Sequence, residues 1–176
     1  MLILLEAQEG NWDEIDAMVR AFQNATFTLK YSPVPVVAAP AGLALGGGCE
    51  ICLHTDRVRA AAETYMGLVE VGVGLLPAGG GTKEMLLRAV DRSAGADPFP
   101  AVQAAFETIG FGKVSTSAAD ARRLGYLRAE DAVTMNRERV MEDAKRDALA
   151  RARAGYQPPV PRDRVPVGGA DTFATL

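Results

Sequence analysis

Three consecutive glycines, Gly46-Gly47-Gly48, constrain this chain more than any other feature. Before them lies Pro35-Val-Val-Ala-Ala39, an apolar run that reads as a buried strand. After them come Cys49, Glu50 and the apolar Ile51-Cys-Leu-His54, which reads as a buried helix. The segment is therefore strand, glycine turn, helix start. Without Cβ atoms the turn permits φ > 0 and lets another group approach the backbone closely. A helix beginning there aims its first unpaired N–H groups outward, where they favour an oxygen that carries or develops negative charge. Glu50 falls within the first turn, a carboxylate beside an oxyanion site. That combination points to chemistry on a carbonyl.

A second stretch, Gly67-Leu-Val-Glu70-Val-Gly-Val-Gly-Leu-Leu-Pro77-Ala-Gly-Gly-Gly81-Thr82, sets another isolated carboxylate among apolar residues and ends in a second glycine-rich helix start. Together the two stretches resemble the crotonase (enoyl-CoA hydratase/isomerase) superfamily, and most of all the hydratase part of bacterial multifunctional 3-hydroxyacyl-CoA dehydrogenases. Val69 departs from the Pro that many single hydratases carry before the second Glu. The resemblance implies an α/β fold of the crotonase type, a ββα superhelix of which this chain holds the later part. It implies Glu50 and Glu70 as the catalytic acid/base pair, converging on one cavity, and Gly47 as an oxyanion-hole N–H donor. Gly46, Leu68, Pro77 and Gly79 are the implied substrate-binding positions. No cofactor is implied beyond the coenzyme A that the acyl substrate itself carries, and no metal. Self-association as a trimer or hexamer is also implied. Residues 1–155 would form the partial domain, and the proline-rich 156–176 a linker or tail. By the same resemblance the chain starts downstream of the loop that supplies the other oxyanion donor, so the 176 residues alone are expected to turn over little or no crotonyl-CoA.

Composition narrows the classes. With 48% hydrophobic and 23% charged residues the chain suits one globular domain, and a net charge of -3 leaves no footprint for nucleic acid or an anionic membrane. No apolar run is long enough to span a bilayer, and Met1-Leu-Ile-Leu-Leu5 lacks the basic flank of a signal peptide, so a cytoplasmic setting is expected. Cys49 and Cys52 form a Cys-x-x-Cys, but their apolar neighbours favour two buried structural thiols over a redox pair. Zinc held by Cys49, Cys52 and His54 would need a fourth ligand that the sequence does not offer. His54 is the single histidine and no Gly-x-Ser-x-Gly occurs, which leaves a Ser-His-Asp hydrolase without support. The glycine runs are neither a Walker A loop, because Thr82 precedes Lys83, nor a dinucleotide fingerprint, because Pro77 stands where the third Gly belongs.

Along the chain, Asn11 and Glu14 suggest a capping box for a helix over 11–29, with Trp12, Ile15, Met18, Val19 and Phe22 as its core-facing stripe. Strands are expected at 57–60 and 64–66, and helices from about Gly80 through Val90 and over 101–109. Ser117 and Gly125 should cap a further helix, and 136–154 should be a charge-laced helix with a solvated face of i,i+4 pairs.

Hydration of a 2-enoyl thioester needs N–H donors for the enolate-like oxygen, activation of water toward the β-carbon, and a proton at the α-carbon. Two carboxylates holding one water can share the last two tasks, with Glu50 assigned to the water and Glu70 to the proton. Either Glu alone would read more simply as a dipole-stabilised or surface carboxylate; the two motifs in order carry the functional reading. A double-bond isomerase, an acyl-CoA-binding module without turnover and an inert fragment are the alternatives.

Overall fold

The computed structural model describes residues 2–165 and 168–176. The apolar opening folds as helix α1 (Leu2–Glu9), followed directly by the long α2 (Trp12–Lys30). Asn11 does precede α2, but no capping box forms. Its side-chain Nδ2 donates instead to Glu6 and Glu9, carboxylates that the α1–α2 corner brings within reach. The α2 stripe is only half-buried, and Trp12 is 66% exposed, since its first turns meet α1 rather than the core.

The strand expected at 35–39 is shorter, β1 (Val37–Ala38), and what looked like turn holds a second strand, β2 (Gly42–Leu45). Gly42 has φ +71, which lets the chain leave β1 and re-extend within three residues. Helix α3 (Gly47–His54) follows, then β3 (Arg57–Ala61), β4 (Thr64–Gly67) and a single 3₁₀ turn at Glu70–Val73. Helix α4 (Gly81–Arg92) starts where the second glycine run ends, and α5 (Phe99–Gly110) starts two residues early because Pro100 is well placed in a first turn. Helix α6 (Ala118–Leu124) is capped as expected: Ser117 Oγ accepts from Asp120 N–H, and Gly125 adopts φ +93. The remaining elements are β5 (Ala132–Thr134), a 3₁₀ turn at Arg137–Arg139, α7 (Val140–Arg153) and α8 (Gly169–Thr175).

All strand pairing is parallel. β3 lies between β1 and β5, and β2 pairs with β4 in a second, two-stranded ladder. Leu53, Val58, Met66, Leu68, Met85 and Tyr126 fill the core where α3, α4 and α6 meet these strands. Helix α7 is less solvated than its charge suggests. Val140 and Ala144 are buried, and Arg59 and Arg151 form two-point ion pairs with Asp147 and Asp56 that fasten α7 to β3 and the turn before it.

Candidate active site

The ladder of β2 and β4 ends at the glycines: Gly46 N–H donates to the Gly67 carbonyl at 2.8 Å, aligning the two motifs side by side. Gly46 then turns the chain with φ +53 and ψ -128, and α3 begins at Gly47. The first-turn amides of Gly47, Gly48 and Cys49 have no carbonyl four residues back within the helix, so they remain donors. Gly48 is exposed and its α-carbon faces open space.

Glu50 closes the first turn, its N–H donating to the Gly46 carbonyl at 3.0 Å. The side chain is 2% exposed and crosses to α4, where Oε1 accepts the Gly81 N–H at 2.8 Å. One helix start thus presents the carboxylate and the other grips it. Burial raises the Glu50 pKa, the Gly81 N–H opposes that rise, and the charge of Glu70 adds to it. The glycines around the carboxylate are required by space. A Cβ on Gly81 would lie 2.9 Å from Glu50 Oε1, and one on Gly79 2.6 Å from Glu50 Oε2.

Glu70 opens the 3₁₀ turn and reaches back over Gly46, where an added Cβ would meet its Oε1 at 3.2 Å. Its Oε2 is buried without a hydrogen-bond partner, and burial raises its pKa. So Glu50 is gripped, whereas Glu70 keeps one bare oxygen beside the start of α3. The two carboxylates flank the same turn. Neither, however, lines the hollows of about 560, 430 and 330 Å³ found elsewhere in the chain. The space above the glycines is narrowed by Phe22: a Cβ on Gly47 would lie 3.2 Å from the ring, and one on Gly79 2.2 Å from it.

Of the other expected positions, Gly46 lies under Glu70 and Gly79 against Phe22 and Glu50, both at the turn. Leu68 and Pro77 are fully buried, so their side chains support the site from beneath. The Leu68 N–H donates to Tyr126 Oη at 3.3 Å.

Three further residues hold the site together, and the sequence reading gave none of them this part. Thr26 Oγ1 donates to the Gly79 carbonyl at 2.9 Å and Gln23 Nε2 to the Ala78 carbonyl at 2.8 Å, pinning the second glycine run to α2. His54 is 1% exposed, and its Nδ1 lies 2.7 Å from the Glu50 carbonyl. Its Nε2 packs so closely on Gly80 that a Cβ there would approach to 2.7 Å. Burial lowers its pKa, so the ring is neutral and donates from Nδ1. The i,i+4 spacing of Glu50 and His54 was the signal available for it. Cys49 and Cys52 are free and buried; burial raises both thiols, Cys52 to about 11.

The sequence profile of the enoyl-CoA hydratase/isomerase family matches residues 4–132. The chain belongs to that family. A probable 3-hydroxyacyl-CoA dehydrogenase of Bacillus subtilis is 45% identical over 175 residues, which is 99% of this chain and 22% of that protein. A putative fatty acid oxidation complex trifunctional enzyme of Rickettsia felis is 40% identical over 87 residues, 49% of this chain and 12% of that protein. Among solved structures, an enoyl-CoA hydratase from Bacillus anthracis superposes with a TM-score of 0.62 at 28% identity, covering 80% of this chain and 48% of that one. One from Polaromonas sp. JS666 gives 0.64 at 26%, covering 85% and 52%. The fold is thus crotonase-like, and the chain spans about half the length of these enoyl-CoA hydratase structures and about a fifth of the Bacillus subtilis protein.

Proposed function

We propose that this chain is the carboxylate-bearing part of an enoyl-CoA hydratase that adds water across a 2-enoyl-CoA thioester. The observation that carries the reading is the unequal pair at one glycine turn: Glu50 held by the Gly81 N–H, and Glu70 with a buried, unpartnered oxygen. In the proposed reaction the Gly47 N–H donates to the thioester oxygen. Glu50 takes a proton from water as its oxygen bonds to the β-carbon, and Glu70 gives a proton to the α-carbon. Raised carboxyl pKa values suit both jobs, making Glu50 a stronger base and Glu70 a more available acid near neutrality. Phe22, against Gly47 and Gly79, would keep bulk water from the turn. Besides water, the acyl-CoA thioester is the only ligand this scheme requires. A place in fatty-acid β-oxidation beside a 3-hydroxyacyl-CoA dehydrogenase, a cytoplasmic setting and self-association into a trimer or hexamer belong to the same proposal. Among the described residues no helix is long and apolar enough to cross a membrane.

The test is hydration of crotonyl-CoA by the full reading frame from which the chain comes, followed as loss of the enoyl-thioester absorbance. Glu50→Gln and Glu70→Gln should each lower kcat by about a hundredfold or more, the usual worth of a positioned acid or base. Gln at 50 can still accept the Gly81 N–H, so the fold should survive. Full activity in both variants would overturn the assignment.

A further inference from the structure

The end of α4 remote from the glutamates carries charge that the proposed hydratase chemistry does not use. A hollow of about 330 Å³ between α4, the end of α6 and the 127–130 loop is lined by Arg88, Arg92, Arg122 and Arg128, against only Asp91 and Glu130. Among the described residues, three of these guanidiniums have no carboxylate within ion-pair distance. Arg88, 7% exposed, bonds only to carbonyls: those of Tyr126 and Leu53, each at 2.8 Å. Arg122 likewise bonds only to the carbonyls of Arg128 and Asp131. Among the described residues the Arg92 side chain has no hydrogen-bond partner; its guanidinium lies against Gly125, where an added Cβ would sit 2.9 to 3.2 Å from it. The nearby acids are committed elsewhere. Asp131 is taken up by Arg128 and by the Val58 and Arg128 amides, Asp91 by Arg162, and Glu130 lies 3.7 Å from Arg57 and 3.8 Å from Arg128.

Guanidiniums that lack an ion-pair partner and face one partly enclosed space make an anion site, and their planar donor forks match phosphate oxygens two at a time. We propose that this hollow binds a soluble phosphate-bearing small molecule, its phosphate held by Arg92 and Arg122 with Arg88 behind them. A hollow this size lies at the small end of ligand pockets, roughly 300 Å³ and up, and exceeds what a lone phosphate fills. Ala129 offers an exposed apolar surface for the remainder of such a molecule. The site is distinct from the Glu50 turn: Arg88 and Arg92 follow Gly81 by about two and three turns of α4, roughly 10 and 16 Å along its axis. Because the whole chain is net negative, general attraction would not bring an anion here; the local arrangement must.

The probe is pyrophosphate, titrated calorimetrically into the purified chain at constant ionic strength. Saturable binding is expected at millimolar concentration or below, with Arg92→Ala weakening it by about tenfold or more, the worth of one charged hydrogen bond. The Arg92 side chain has no hydrogen-bond partner among the described residues, so this variant should keep the wild-type circular dichroism and melting temperature. Arg123→Ala, whose native side chain pairs with Asp120 outside the hollow, should bind as the wild type does. No saturable heat, equal affinity in Arg92→Ala, or equal weakening in Arg123→Ala would each overturn the site.

Discussion

Gly79→Ala offers the sharpest check on how the two glycine runs meet. The added methyl would sit 2.2 Å from Phe22 Cε1, 2.5 Å from Cδ1 and 2.6 Å from Glu50 Oε2. Carbon atoms in contact prefer about 3.5 to 4.0 Å, so the ring would have to retreat by more than about 1 Å. It cannot do so freely, because Gln23 and Thr26 on the same helix are bonded to the Ala78 and Gly79 carbonyls. Nor can Glu50 yield without loosening its bond from the Gly81 N–H. Overpacking of this kind costs about 1–3 kcal/mol, and the disturbed buried carboxylate places Gly79→Ala at the upper end of that range. The comparison is Gly48→Ala, in the first turn of α3, where an added Cβ meets nothing within 4 Å. There the change should be neutral or stabilising by up to about 1 kcal/mol, since Ala restricts the unfolded chain. Urea unfolding followed by circular dichroism measures both. Pairing Gly79→Ala with Phe22→Leu should recover part of the loss, because the smaller side chain vacates the contact. An unchanged midpoint for Gly79→Ala, or a loss in Gly48→Ala as large, would refute the packing described for this turn.

Two other outcomes follow from burial. A carboxyl whose folded pKa is raised binds its proton more tightly in the native state, so its contribution to stability falls as pH rises from its ordinary value near 4.5 through the raised value. Glu50→Gln keeps an acceptor for Gly81 N–H without the charge; it should therefore be more stable than the wild type at pH 7, with the difference shrinking toward pH 4, as urea midpoints across that range would show. Cys49 and Cys52, 0% and 6% exposed with raised pKa values, should resist a thiol reagent in the native protein and react once it is unfolded, which mass spectrometry can follow.

The parts of this fold that were legible in the sequence are those whose cause is local. Helix starts at Gly47 and Gly81, the cap at Ser117 and the turn at Gly125 all follow from a residue type acting on its own neighbours. Strand β2 was not legible, because Gly42-Leu-Ala-Leu45 has weak strand preference and is extended only by its ladder to Thr64–Gly67. The Asn11 capping box failed for a similar reason: two carboxylates on α1 compete for the same side chain. At the candidate site, Glu50 and Glu70 were legible through the resemblance of their two glycine-rich motifs, since either carboxylate alone reads as an ordinary helix-start or surface group. That Gly81 grips Glu50, that Phe22 packs on Gly47 and Gly79 and that His54 links Glu50 to Gly80 depend on residues brought together across 25 to 57 positions or on packing depth, and periodicity encodes neither.

The parallel ladders also set the order in which such a chain can assemble. Thr64 meets Gly42 and Arg57 meets Val37 after about 20 residues, whereas Ala132 must come back to Arg59 across more than 70. By polymer statistics, closing the longer loop costs about 1 kcal/mol more. Contacts of long sequence separation slow folding, so β5 and the α7 helix it delivers are the natural last pieces. The segment from Gly42 to Gly81, with both glutamates and both helix starts, closes on itself first. A nascent chain could therefore set its candidate catalytic turn in place while the sheet beside it still waits for an outer strand.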